Sequence, residues 1–125
     1  MPFTAPLILV AEDDAATSDL LQQLLREEGY AVERAANGAE VLAQLADRVP
    51  DLVLLDWMMP AVDGDYILRL LAARQVQSPP IILMSASNLL PSTRPDGVVA
   101  MIDKPFELDD LLAVIAQHCP PPGTR

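Results

Sequence analysis

The chain has 125 residues, the size of one domain with a single core. Hydrophobic residues make up 51% but aromatics only 4%, so the core must be aliphatic, as in a buried sheet flanked by helices. Eighteen acidic against eight basic residues leave a net charge of −10, which repels phosphate backbones and anionic lipid and argues against direct nucleic-acid or membrane binding.

Met1 to Pro6 lacks the basic region of a signal peptide, and no later run is long enough to span a bilayer, which predicts a cytoplasmic protein. Leu7 to Ala11 is a continuous apolar run that stops at Glu12-Asp13-Asp14, the pattern of a strand buried on both faces and ending in an acidic loop. A helix follows with Leu20, Leu21, Leu24 and Leu25 on one stripe, and Gly29 is a natural stop. A short strand is expected around Tyr30 to Arg34, then a turn at Asn37-Gly38 and a helix carrying Val41, Leu42 and Leu45 to about Asp47. Leu52 to Leu55 is a second strongly buried strand, ended by Asp56.

Met58-Met59-Pro60 and Asp63-Gly64 form the next loop, before a third helix with Ile67, Leu68, Leu70 and Leu71. Ile81 to Met84 is a buried strand, Val98 to Ile102 another, and Glu107 to His118 a final helix with Leu108, Leu111, Leu112 and Ile115 on one face. Where a fourth helix would stand, Asn88 to Gly97 contains Pro91 and Pro95, so at most about one helical turn should form. Cys119, the sole cysteine, allows no internal disulfide or thiolate zinc site and reads as an inert, partly buried thiol at a helix end. Residues 1–119 are expected to form the domain, and 120–125 a Pro-rich tail or the start of a linker. The opening Met1 favours an N-terminal location.

Strands alternating with helices imply right-handed crossovers and a parallel sheet covered on both faces, with Leu7–Ala11 and Leu52–Leu55 as central neighbours. In such a sheet functional groups gather beyond the carboxyl ends of the strands. Those ends carry Glu12 and Asp13, Asp56, Ser85 and Lys104. Three carboxylates brought together repel unless a cation neutralises them, and magnesium or manganese suits such hard oxygen ligands. Lys104 and Ser85 could then hold the outer oxygens of a phosphoryl group. Each piece alone has a plainer reading: Asp14 as a helix cap, Lys104 as a surface lysine at a turn, Ser85 bonded to nearby backbone. Asp56 is harder to dismiss, since an unpaired acid ending a buried strand is costly.

From end to end the sequence resembles a response-regulator receiver domain of two-component signalling. The resemblance is carried by Ile8-Leu9-Val10-Ala11-Glu12-Asp13-Asp14, Asp51-Leu52-Val53-Leu54-Leu55-Asp56-Trp57-Met58-Met59-Pro60 with Gly64, Met84-Ser85-Ala86, and Asp103-Lys104-Pro105-Phe106. It implies a flavodoxin-like (βα)5 three-layer α/β sandwich with strand order 2-1-3-4-5, here with the fourth helix shortened or missing. It makes Asp56 the acceptor of a phosphoryl group from a histidine kinase or a histidine phosphotransfer protein. Magnesium would be ligated by Asp13, Asp56 and the Trp57 carbonyl, with Glu12 acting through metal-bound water. Ser85 would bond a phosphoryl oxygen, Ala86 would leave room for the donor, Met58 and Ser87 would lie where phosphoryl lifetime is tuned, and Lys104 would pair with Asp56 and precede an often cis proline bond.

Two departures concern the signalling face: Met101 stands where the family usually has an aromatic residue, and the proline-broken segment Asn88–Gly97 replaces the fourth helix. That segment either orders on phosphorylation or is a short static loop, and the output partner is unidentified. The competing function is a phosphorylation-independent pseudo-receiver that serves only as an interaction module. An aspartate-based phosphatase is disfavoured because Met58 stands where a general acid is needed, and a nucleotide site because no Gly-rich loop follows the first strand.

Overall fold

The computed structural model describes residues 5–59, 66–69, 79–86 and 89–122. In chain order it contains β1 (Leu7–Ala11), α1 (Ala15–Glu27), β2 (Ala31–Ala35), α2 (Gly38–Asp47), β3 (Leu52–Asp56), β4 (Ile81–Ala86), β5 (Val98–Lys104) and α3 (Leu108–His118), and residues 66–69 are also helical. All five strands are parallel in the order β2-β1-β3-β4-β5, which is the flavodoxin-like α/β topology. β1 and β3, buried at every residue, lie side by side in the register Ile8↔Leu52 to Ala11↔Leu55.

The pleat sends alternate residues of these strands into two cores. On one face Leu9, Val53, Leu55 and Leu83 pack with Val41 and Leu45 of α2 and with Ile67 and Leu68. On the other, Ile8, Val10, Leu54 and Ile82 pack with Leu21 and Leu25 of α1 and Leu111 and Ile115 of α3. The helix ends obey local rules. The Asp14 side chain accepts from the Thr17 N–H, and the Asn37 side chain caps α2 by accepting from the Glu40 N–H. Gly29, at φ +99°, closes α1 in a Schellman motif: its N–H donates to the Arg26 carbonyl and the Tyr30 N–H to the Leu25 carbonyl.

Several expected boundaries move. β2 begins one residue later than Tyr30, because Tyr30 serves as the closing residue of that motif. β4 runs through Ala86 and β5 through Lys104, as the pairs Ser85↔Asp103 and Ala86↔Lys104 extend the ladder past the apolar residues. α3 starts at Leu108, with Glu107 as the cap residue. Leu70, Leu71, Pro60, Asp63, Gly64, Ser87 and Asn88 lie outside the described residues.

No α-helix occurs among the described residues 89–97, as the two prolines require. The segment still packs: Leu90 lies partly buried against the core shared with α2, and the Arg94 guanidinium donates to the Val99 carbonyl at 3.0 Å. Ile81 pairs with Val98 and Ile82 with Ala100, leaving Val99 in a bulge, so Arg94 occupies a carbonyl at the point where the ladder is interrupted.

Candidate functional site

Parallel strands of similar length deliver their last residues to one edge. β3 ends on Asp56, which pairs in register with Met84, and the next residue of β4, Ser85, pairs with Asp103 of β5. β1 ends one residue before Glu12, whose N–H donates to the Ala35 carbonyl and prolongs the β1–β2 ladder. The outcome is that Glu12, Asp13, Asp56 and Lys104 converge. Oxygens of Glu12, Asp13 and Asp56 all lie within 4.8 Å of one another, and the Lys104 Nζ donates to Glu12 Oε1 at 2.5 Å and to Asp56 Oδ2 at 3.4 Å. Ser85 reaches the same edge by register and is buried. Trp57 is fixed by its N–H, which donates to the Met84 carbonyl at 2.9 Å.

Polar burial at this edge is unusual for the molecule. Glu12 is 1% exposed and Asp56 6%, whereas Asp13 is exposed. Glu12 Oε2 accepts from the Asp14 N–H at 3.1 Å, and Asp56 Oδ1 accepts from the Met58 N–H at 3.1 Å. Burial pushes the Glu12 carboxyl above the usual carboxylate range, against the lowering pull of its bonds to Lys104 and Asp14. Burial acts to lower the Lys104 ammonium, but the bond to Glu12 and the charges of Asp56 and Glu12 more than reverse this, so its pKa lies above the ordinary value. A trio of hard carboxylate oxygens, one exposed and two buried, suits a divalent cation that keeps part of its hydration.

Sequence reasoning paired Lys104 with Asp56 and missed its shorter bond to Glu12. The missed signal is length: a glutamate has one methylene more than an aspartate and spans from the end of β1 to the end of β5. The Lys104–Pro105 peptide is cis, as the resemblance implied. Asp14 has the plainer role: its carboxylate accepts from the Thr17 N–H and hydroxyl, which holds its pKa low. Beside Lys104 lies an open, mainly apolar hollow of about 470 Å³ lined by Thr17, Leu20, Pro105, Phe106 and Leu108. At the opposite edge the Tyr30 hydroxyl donates to the Cys119 carbonyl at 2.6 Å, and burial and the nearby Asp51 push the Cys119 thiol up.

The response regulator receiver domain model matches residues 8–116. The chain is 38% identical over 113 residues to the phosphate regulon transcriptional regulatory protein PhoB of Rhizobium meliloti (strain 1021), covering 86% of this chain and 49% of that protein. It is 39% identical over 110 residues to the response regulator MprA of Mycobacterium sp. (strain KMS), covering 85% and 47%. The chain thus spans about half the length of these curated relatives. Among solved structures, a putative response regulator from Chloroflexus aurantiacus J-10-fl superposes with a TM-score of 0.82 at 26% identity, over 93% of this chain and 98% of that one. The response regulator TrrA of Thermotoga maritima, solved in complex with Mg(2+)-BeF, gives a TM-score of 0.80 at 28% identity, over 90% and 97%. With the fold, the acidic trio and these matches in agreement, the chain belongs to the response regulator receiver domain family.

Proposed function

We propose that this domain, residues 1–119, accepts a phosphoryl group on Asp56 from a histidine kinase or a histidine phosphotransfer protein and acts in the cytoplasm as a two-component switch. The observation that carries the reading is the convergence of Glu12, Asp13 and Asp56 with Lys104 between two of them. Asp13 and Asp56, with the Trp57 carbonyl, would ligate magnesium or manganese, and Glu12 would act through metal-bound water. Such a cation neutralises the trio and the incoming phosphate. The TrrA complex with Mg(2+)-BeF, at the same fold, supports this for the family.

Asp56 is the nucleophile: its carboxylate oxygen forms a bond to phosphorus as the phosphorus–nitrogen bond of a phosphohistidine breaks, and the electron pair stays with the imidazole. Lys104 is close enough to hold a phosphoryl oxygen once one is attached to Asp56, and Ser85 supplies a hydroxyl from the neighbouring strand. The apolar hollow that shares Lys104 with the site gives a donor protein a place to seat beside Asp56. The charge of −10 favours protein contacts over direct nucleic-acid contact by this domain. Residues 120–125 begin a linker or tail.

Incubation of the chain with magnesium and a small acyl phosphate, followed by intact mass, tests the assignment. The wild type should gain the mass of one phosphoryl group and Asp56→Asn none. A wild type that gains nothing would instead support a phosphorylation-independent interaction module.

A further inference from the structure

β2 is an outermost strand of the sheet, and such an edge invites another strand unless its polar groups are occupied. Alternate residues of a strand turn both N–H and C=O to the same side. The Ala31 N–H donates to the Pro6 carbonyl and the Ala35 carbonyl accepts from the Glu12 N–H, so residues 31, 33 and 35 face β1 and residues 32 and 34 face outward. Both outward carbonyls are taken by side chains. The Gln44 amide of α2 donates to the Arg34 carbonyl, and the Arg26 guanidinium of α1 donates to the Val32 carbonyl at 3.4 Å. Arg26 is oriented by the amide oxygen of Gln22, and Gln22 in turn donates to the hydroxyl of the fully buried Ser18. Beyond the strand, the Tyr30 N–H donates to the Leu25 carbonyl and the Ala36 N–H to Glu40 Oε1 at 2.7 Å. Within it, only the outward N–H groups of Val32 and Arg34 are left open among the described residues. Gln44 Oε1 is buried with no hydrogen-bond partner among the described residues, a cost that an alanine at this position of α2 would avoid.

We propose that the outer edge of β2 is a self-complementary pairing surface held shut by Gln44, Arg26 and Glu33, and that the partner it takes once opened is a second copy of this chain in antiparallel pairing. The open amides fix the register. Antiparallel residues that exchange both bonds must each face outward, so Val32 pairs with Arg34 of a second copy, and Arg34 with its Val32, about a twofold axis at Glu33. Sliding to Val32 against Val32 sets Arg34 against Tyr30, and sliding to Arg34 against Arg34 sets Val32 against Ala36, but the Tyr30 and Ala36 amides are already used. In the twofold register the exposed Glu33 faces its own copy in a non-hydrogen-bonded pair, where side chains are closest and like charges repel. Gln44 is the stronger guard, because its contact is partly buried whereas that of Arg26 is exposed and long.

The test compares wild type with the double variant Glu33→Thr, Gln44→Ala, and with Arg26→Ala added, by light scattering across a concentration series and by amide exchange. Alanine is a helix former and threonine suits a strand, so the variants keep the fold. Each freed Arg34 carbonyl gains a bond worth a factor of about five, twice across the axis, and removing the opposed Glu33 charges adds a similar factor. The dissociation constant of self-association should therefore fall about a hundredfold in the double variant, and further with Arg26→Ala. Exchange at the Val32 and Arg34 amides should be fast in the wild type at every concentration and should slow with rising concentration in the variants. Glu33→Lys with Gln44→Ala, which keeps like charges opposed, should tighten association less than Glu33→Thr with Gln44→Ala. Unchanged association in the variants, tighter association without protection of those two amides, or protection of them in the wild type would each overturn the proposal. Equal tightening by Glu33→Lys would overturn the register and the proposal with it.

Discussion

Replacing Tyr30 by Phe removes one hydroxyl and leaves the ring. Tyr30 is buried at 5% exposure, and its hydroxyl donates to the Cys119 carbonyl at 2.6 Å, joining the turn after α1 to the end of α3. Loss of the donor leaves a buried carbonyl unsatisfied, which costs about 1–2 kcal/mol. For a domain of this size that lowers Tm by about 4–8 °C. A pH series separates the bond from general packing. Burial, followed by the charges of Cys119 and Glu28, pushes the Tyr30 phenol up to about 12 from 10.0. A raised folded pKa means that the stabilisation is complete below pH 10 and is lost as pH rises through about 12, because the unfolded chain ionises first. At about 1.4 kcal/mol per pH unit between the two values, the advantage of tyrosine over phenylalanine disappears before pH 12. Urea unfolding of both proteins from pH 8 to 12 reads this directly. Equal stability at pH 8, or a difference that stays constant to pH 12, would refute the reasoning.

Two further substitutions probe the local rules that build the scaffold. Asn37→Ala removes the side chain that accepts from the Glu40 N–H at 2.9 Å and should cost about 1 kcal/mol in urea unfolding. Gly29→Ala should cost more than about 1 kcal/mol, since φ is +99° and a Cβ would meet Pro122 at 3.0 Å. Combining it with Pro122→Ala should recover only the contact part, leaving the backbone strain, and full recovery would show that strain to be negligible.

The sheet was legible because β1, β3 and β4 are unbroken aliphatic runs, each ending in polar residues, and no other element explains such a pattern. Two helix ends were legible for a similar reason, since Asp14 as a cap and Gly29 as a stop each carry a local backbone function, whereas Asn37 read as part of a turn and instead caps α2, with Gly38 as its first residue. The end of β5 was not: Asp103 and Lys104 are polar and read as loop, and only pairing with Ser85 and Ala86 makes them strand. Tertiary pairing overrode composition there. The Glu12–Lys104 bond was hidden because it joins residues 92 positions apart, and spacing along a chain carries no information on which of two neighbouring acids a lysine will reach. The Tyr30–Cys119 bond, 89 positions apart, was hidden in the same way.

The distribution of buried polar groups divides the molecule into two ends with different duties. Among the described residues the buried polar or charged side chains are Glu12, Ser18, Asp56 and Ser85. All but Ser18 lie at the carboxyl edge of the sheet, where burying them works against stability. α3 runs back from β5 and delivers Cys119 to the amino edge, where the Tyr30 hydroxyl bond ties the end of α3 to the turn after α1. Two interlocked aliphatic cores separate these edges. Stability is therefore concentrated where no charge must be accommodated, and the carboxyl edge can hold two buried acids and a lysine in an arrangement that a cation or phosphoryl group would change. A substitution at Tyr30 or Gly29 should accordingly shift unfolding while leaving phosphorylation of the folded fraction at Asp56 unaltered, whereas a substitution at Lys104 should alter phosphorylation of the folded fraction and also shift unfolding, because it leaves the buried Glu12 carboxylate without its partner.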